Sequence, residues 1–142
     1  MKLKRVVLDT SAVIKWFVSE EESREMERLR EMHLSGQIEL CTCNFALIEL
    51  ANALRYATGI QMQDVLKAVE AVKALGLILV DELEILGKAI KLAFEYEITI
   101  YDALYVSLAY EMDSKLITYD EALLDKFPKK AVKASQLLSS FR

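Results

Sequence analysis

The sequence has few of the residues on which most catalytic and metal sites depend. Its 142 residues include one histidine, two cysteines and four glycines. The one histidine, His33, lies on the apolar stripe of a charged helical segment. The sequence therefore lacks the histidines needed for a zinc site, a Ser-His-Asp triad or another His-based acid–base mechanism. Cys41 and Cys43 have no second pair with which to form a metal site or a disulfide framework, and we expect reduced core thiols. A glycine-rich phosphate-binding loop is also missing.

The sequence also lacks an excess of positive charge and a long apolar run. There are 18 lysines and arginines against 22 aspartates and glutamates, which gives a net charge of −4. Binding of nucleic acid by bulk charge is therefore disfavoured, whereas a local groove or a metal-bridged phosphate contact stays open. The apolar run at 6–8 is broken at once by Asp9, and no run reaches membrane-spanning length. We expect a soluble, cytoplasmic protein with no membrane partner.

The composition predicts one densely packed domain over 1–142, because 54% of the residues are hydrophobic and proline occurs once. Strand-like runs alternate with segments of helical periodicity. The predicted strands are 6–8, 38–42, 77–80, 116–118 and 131–134, and the predicted helices are 12–18, 20–34, 45–57, 62–72, 83–96, 102–112 and 121–127. This alternation is typical of an α/β fold with three layers, in which helices cover both faces of a parallel sheet.

Two segments carry more specific expectations. The helix at 45–57, which Asn44 is placed to cap, is apolar almost all round and is expected inside the protein. The run at 77–80 is apolar throughout, as central parallel strands are.

Four carboxylates are expected at the carboxyl edge of this sheet, where α/β folds bind their ligands. Asp9 and Asp120 come directly after predicted strands, and Asp102 lies at the start of the helix that leads back to the strand before Asp120. Glu49 lies one turn into the apolar helix, on a narrow polar stripe with Asn52 and Tyr56. Taken singly, each aspartate is equally explained as a helix cap, and the Glu49 stripe as a face turned to water.

Taken together, four converging carboxylates would repel one another unless cations lay among them. Oxygen ligands without histidine or cysteine favour Mg²⁺ or Mn²⁺. Such ions serve phosphodiester hydrolysis by in-line attack of water. A nucleophilic Asp9 is disfavoured, because Ser11 stands where a phosphatase of the DxD type has its second acid.

Four short blocks resemble the PIN-domain family, and the chain length is similar to that of its VapC-type toxin ribonucleases. Each block contains one of the acids; they are VLDTSA at 7–12, LIELANAL at 47–54, YDALYVSLA at 101–109 and LITYD at 116–120. Each block alone would be weak evidence. Four in order, spanning nearly the whole chain, form a specific signal.

The resemblance implies a PIN fold with a central parallel sheet of about five strands. It also implies an Mg²⁺- or Mn²⁺-dependent endoribonuclease acting on single-stranded RNA, the toxin of a type II toxin–antitoxin pair, with a VapB-type antitoxin as partner and a homodimer as its assembly. Carried over by position, the metal-binding and catalytic carboxylates are Asp9, Glu49, Asp102 and Asp120, and the supporting hydroxyls are those of Thr10, Ser11 and Thr118.

As a mechanistic hypothesis, the three aspartates hold a principal ion and Glu49 completes the cluster or helps a second one. Water then attacks phosphorus and leaves a 5′-phosphate and a 3′-hydroxyl. Nearby tyrosines are candidates for stacking on splayed bases, or are ordinary packing aromatics; they are Tyr101, Tyr105 and Tyr119. Two other functions stay open: a housekeeping PIN nuclease of RNA processing, and a non-catalytic module that binds RNA or a protein partner.

Overall fold

Five parallel strands form the centre of the protein in the computed structural model, which describes residues 3–141. The strands are β1 (Lys4–Leu8), β2 (Ile38–Cys43), β3 (Ile78–Val80), β4 (Lys115–Ile117) and β5 (Ala131–Val132). Their order across the sheet is β3-β2-β1-β4-β5, with β1 in the middle. Val7 of β1 pairs with Cys41 of β2 on one side and with Leu116 of β4 on the other. The segments that follow β1 and β4 therefore leave the same edge of the sheet side by side.

Helices cover both faces of this sheet. They are α1 (Thr10–Val13), α2 (Ser23–Leu34), α3 (Phe45–Arg55), α4 (Met62–Ala74), α5 (Leu86–Tyr96), α6 (Ile100–Glu111), α7 (Glu121–Lys126) and α8 (Ala134–Ser139), with 3-10 turns at Ile14–Trp16 and Glu82–Glu84. Val7 belongs to the core beneath α5 and α6, whereas Val6 and Leu8 belong to the core beneath α2 and α4. Alternate residues of one strand are thus buried on opposite faces, which confirms the predicted three-layer α/β/α fold.

The helix predicted at 45–57 is shorter and less buried than expected. Ala46, Leu50 and Leu54 of α3 are buried, but Ile48 is 72% exposed and Tyr56 is 76% exposed. The expectation of an interior helix is therefore wrong, because only one side of α3 faces the core. Asn44 makes no side-chain hydrogen bond that caps the helix, which differs from the prediction.

The apolar run at 77–80 forms an edge strand instead of a central one. β3 pairs with β2 alone, and Leu79 is exposed. An apolar run indicates that helices cover a strand, but it does not specify whether the strand pairs with one neighbouring strand or with two. At the opposite edge β5 occupies part of the predicted segment 131–134, and Ala134 instead begins α8, a helix that the sequence did not predict.

His33 and the two cysteines have structural roles. The His33 Nδ1 atom accepts a hydrogen bond from the Leu40 amide at 3.1 Å, and Nε2 lies 2.8 Å from the Leu75 carbonyl oxygen. Burial raises the pKa of Cys41 to about 11 and that of Cys43 to about 12, so both thiols stay protonated and unreactive. Across residues 3–141, no helix is long and apolar enough to cross a membrane.

Candidate active site

Asp9 and Asp120 lie at the carboxyl ends of neighbouring central strands, and both are helix caps. Asp9 Oδ1 accepts from the Ala12 amide at 3.2 Å, and Asp120 Oδ1 accepts from the Leu123 amide at 3.2 Å. Capping occupies one carboxylate oxygen of each residue. The capping interpretation and the active-site interpretation are therefore compatible.

The buried Asp9 carboxylate is held by two hydroxyl groups. Ser11 Oγ donates to Oδ1 at 2.6 Å, and Thr118 Oγ1 donates to Oδ2 in a short hydrogen bond. Removal from water raises the pKa of Asp9 to about 6, although these hydrogen bonds oppose the shift, and the negative charge of Asp102 adds to it. The site thus keeps a desolvated carboxylate in one fixed orientation.

The same hydroxyls join the loop after β1 to the loop after β4. Thr118 Oγ1 accepts from the Asp120 amide at 3.1 Å, and Ser11 Oγ accepts from the Tyr119 amide at 2.9 Å. Thr118 consequently contacts Asp9 through its proton and the backbone of Asp120 through its lone pair.

Glu49 of α3 is half-buried and receives two hydrogen bonds at a single oxygen. Thr10 Oγ1 donates to Oε1 at 2.9 Å, and the Tyr105 hydroxyl donates to it at 2.6 Å. Burial, followed by the bond to Glu49, raises the pKa of Tyr105 above its ordinary value, so its proton stays in place as a donor. Asn52 and Tyr56, which share the predicted polar stripe with Glu49, are exposed to solvent.

Asp102 lies in the first turn of α6, where its amide donates to the Thr99 hydroxyl at 3.1 Å. Burial raises the pKa of Asp102, and the negative charges of Asp120 and Glu49 raise it further. The negative charge of Asp102 likewise raises the pKa of Asp9. The acids from four separate segments therefore lie near enough for their charges to interact.

The donor chemistry of this cluster fits a hard divalent cation, because it contains only carboxylate and hydroxyl oxygens. Within residues 3–141, however, no three acidic, histidine or cysteine side chains form a group arranged to hold one ion. Mg²⁺ commonly keeps several waters and takes one or two carboxylates from a protein. That the four acids share an ion stays a prediction.

Sequence reasoning named the hydroxyls of Thr10, Ser11 and Thr118 as supports for the acids, but it missed Tyr105 as a support for Glu49. Tyr105 could have been found, because it lies three residues after Asp102 and so on the same side of α6. A second group of contacts, around Tyr119, had no signal in the sequence. Glu22 Oε1 accepts from the Tyr119 hydroxyl at 2.7 Å, and Glu22 Oε2 accepts from Ser135 Oγ at 2.7 Å. The buried Lys15 ammonium lies 4.2 Å from the Tyr119 ring centroid.

Comparison with known proteins gives a consistent result. Ribonuclease VapC3 of Pyrobaculum aerophilum is 36% identical over 131 residues, which cover 87% of this chain and 95% of that protein. The crystal structure of PAE2754 from Pyrobaculum aerophilum superposes with a TM-score of 0.71 at 21% identity, covering 97% of this chain and 94% of that one.

A toxin–antitoxin complex from Klebsiella pneumoniae contains a chain with a TM-score of 0.66 at 15% identity, covering 91% of this chain and 97% of that one. At such identities the two structures show a shared fold alone. The PIN domain family model matches residues 6–130, which include all four acids. The resemblance found in the sequence is therefore confirmed, and the chain belongs to the PIN-domain family.

Proposed function

We propose that this protein is a metal-dependent endoribonuclease that hydrolyses phosphodiester bonds of single-stranded RNA, and that it is the toxin of a type II toxin–antitoxin pair. The observation that carries the proposal is the position of Asp9 and Asp120 at the carboxyl ends of neighbouring strands, where the Thr118 hydroxyl bonds to the Asp9 carboxylate and to the Asp120 amide. The similarity to a protein named a ribonuclease, over nearly the full length of both chains, supports it. The cytoplasm, where substrate RNA is found, is the proposed compartment.

In this proposal Asp9, Asp102 and Asp120 hold Mg²⁺ or Mn²⁺, and Glu49 completes the cluster. The bound ion supplies activation of a water and neutralisation of the charge that develops on the phosphate. Without a cation, the carboxylates would repel the RNA backbone.

The surrounding hydroxyls position the acids. Ser11 and Thr118 fix both oxygens of Asp9, so that its orientation does not depend on the ion. Thr10 and Tyr105 fix one oxygen of Glu49 and leave the other without a partner among the hydrogen bonds described. Groups held in this way lose little freedom when they bind an ion or a substrate.

The test is cleavage of a labelled single-stranded RNA with Mg²⁺ or Mn²⁺ and with EDTA, comparing the wild type with Asp102→Asn. We expect metal-dependent cleavage that falls by about a hundredfold or more in the variant, because a charged group at the reacting centre is lost. Asp113→Asn is the matched control, since Asp113 follows the opposite end of α6. Equal cleavage by wild type and Asp102→Asn in nuclease-free preparations would contradict the proposal. RNA binding without cleavage would favour the non-catalytic module.

An antitoxin of the VapB type is the proposed partner. The solved toxin–antitoxin complex with this fold supports the proposal. So does a groove of about 400 Å³ between α3 and α4, rimmed by the exposed side chains of Met62 and Leu66. A small protein encoded beside this chain's gene should copurify with it and suppress its cleavage of RNA. Absence of such a neighbour would favour the housekeeping nuclease over the toxin.

A homodimer is the proposed assembly. The outward side of α5 carries Ile90 and Phe94 on one stripe with Gly87, and Phe94 is 80% exposed. An apolar stripe of this kind on a single helix is suited to contact with a second copy.

A further inference from the structure

Three aromatic rings form a column that leads from solvent to Glu49. The Tyr101 ring packs against Phe45 with centroids 5.9 Å apart, and Phe45 packs against Tyr105 at 5.0 Å. The Tyr105 hydroxyl donates to Glu49 at 2.6 Å. The two inner residues are buried, whereas Tyr101 is 64% exposed. The outer end of the column therefore presents an aromatic surface to solvent.

This surface adjoins the carboxylate cluster. Tyr101 immediately precedes Asp102, and it lies one helical turn before Tyr105 on the same side of α6. An exposed tyrosine alone is unremarkable on a protein surface. Tyr101 differs because its ring packs against that of Phe45 and because the next residue, Asp102, belongs to the proposed reaction centre.

A base of single-stranded nucleic acid is the ligand that fits such a surface. Unpaired bases stack on aromatic side chains irrespective of sequence, and this stacking is a main source of affinity for single strands. A ring already supported by a neighbour loses little freedom when a base covers it. The chain has a net charge of −4, so attraction by bulk charge contributes little to RNA binding.

We infer that Tyr101 is the stacking platform for a base beside the phosphodiester that is cut. The inference rests on the proposed function and assigns to Tyr101 the positioning of the RNA strand over the acids. Phe45 and Tyr105 support the platform. Specificity for single strands follows, because a base in a duplex does not present its face.

The experiment measures binding of a short single-stranded RNA in which 2-aminopurine, a base whose fluorescence is quenched by stacking, replaces adenine. All proteins carry Asp120→Asn, so that the RNA stays intact, and all are assayed with Mg²⁺. We expect Tyr101→Leu to weaken binding by about tenfold to a hundredfold and to abolish the quenching. Tyr101→Phe should keep both, because it keeps the ring.

Tyr110→Leu is the matched control. Tyr110 is in the same helix and is 54% exposed, but it lies at the far end of α6 beside Lys130. The inference is wrong if Tyr101→Leu binds and quenches like the Asp120→Asn parent, if Tyr110→Leu loses as much affinity, or if the parent binds no single-stranded RNA.

Cleavage assays without Asp120→Asn separate this inference from the proposed function. Cleavage by the wild type with an unchanged KM in Tyr101→Leu would overturn the platform and leave the nuclease intact. Binding that depends on the Tyr101 ring, in a wild-type protein that cleaves nothing, would overturn the nuclease and support Tyr101 only as a stacking platform for bound RNA. A raised KM with a smaller change in kcat is the result expected if both hold.

Discussion

At the scale of single residues, one hydroxyl group connects two of the acids. Thr118 is fully buried, donates to Asp9 and accepts from the Asp120 amide. The sequence placed Asp9 and Asp120 at one edge of the sheet, because the carboxyl ends of parallel strands meet there. The resemblance to the PIN-domain family added Thr118 as a supporting residue. Which oxygen bonds to which group depends on side-chain rotamers, and no sequence pattern specifies these.

We predict that Thr118→Val lowers the free energy of unfolding by about 1–3 kcal/mol, because a buried carboxylate oxygen and an amide lose their partner. RNA cleavage should fall by about tenfold or more, since Asp9 is no longer held in place. Chemical denaturation and a cleavage assay provide the two measurements.

Two matched variants separate these effects. Thr118→Ser should retain most of the activity, because it keeps the hydroxyl. Thr42 is also fully buried, but its hydroxyl donates to the Leu8 carbonyl oxygen and not to a carboxylate. Thr42→Val should therefore lose stability without a comparable loss of activity. Full activity in Thr118→Val would show that Asp9 needs no such support.

At the scale of elements, the periodicity of the sequence predicted most helices and strands, but it did not predict which sides they turn outward. Ile48 of α3 is apolar and yet exposed, because no element among residues 3–141 covers that side of the helix. β3 is apolar throughout and still lies at the edge. The short helix α8 was missed, and its first residue, Ala134, was assigned to the predicted strand 131–134.

Glu22, at the start of α2, forms hydrogen bonds with the loop after β4 and with the start of α8. Its carboxylate accepts from the Tyr119 hydroxyl in the loop after β4, and from the Ser135 amide at 3.0 Å and the Ser135 hydroxyl at the start of α8. Burial alone would raise the pKa of Glu22, but these hydrogen bonds outweigh it and lower the pKa below its ordinary value of 4.5. The charged carboxylate therefore stabilises the folded state.

We predict that Glu22→Gln lowers the free energy of unfolding by about 1 kcal/mol at pH 7. Because the folded-state pKa lies below the unfolded one, the stabilisation is complete above pH 4.5 and is lost as pH falls through the folded-state value. The difference between wild type and variant should therefore shrink below pH 4.5 in denaturation curves. Glu70→Gln, at an exposed pair with Lys73, should change nothing. A difference that grows in acid would refute this role.

At the scale of the whole molecule, Gly87 is a residue that the single chain does not explain. It lies in the first turn of α5 without a positive φ, and an added Cβ would meet no atom within 4 Å. Glycine costs about 1 kcal/mol relative to alanine in a helix interior, and less in the first turn. Phe94 lies two turns further on along the same stripe and is mostly in solvent.

The proposed homodimer would account for both residues. If two α5 helices pack antiparallel about a twofold axis, each Phe94 lies over the partner's Gly87, where a missing Cβ allows close approach. In this arrangement the face would be complementary to itself in shape.

We predict that Gly87→Ala has opposite effects on the monomer and on the dimer. The isolated chain should gain a small amount of stability, at most about 1 kcal/mol, from better helix propensity. The dissociation constant of the dimer should rise, because the new methyl group displaces Phe94. Phe94→Asp should give monomers at all concentrations, and Leu66→Asp on α4 should leave the dimer unchanged. Sedimentation velocity over a concentration series provides the measurement. A dimer that tolerates Phe94→Asp would place the contact on another face, and Gly87 would then need another cause.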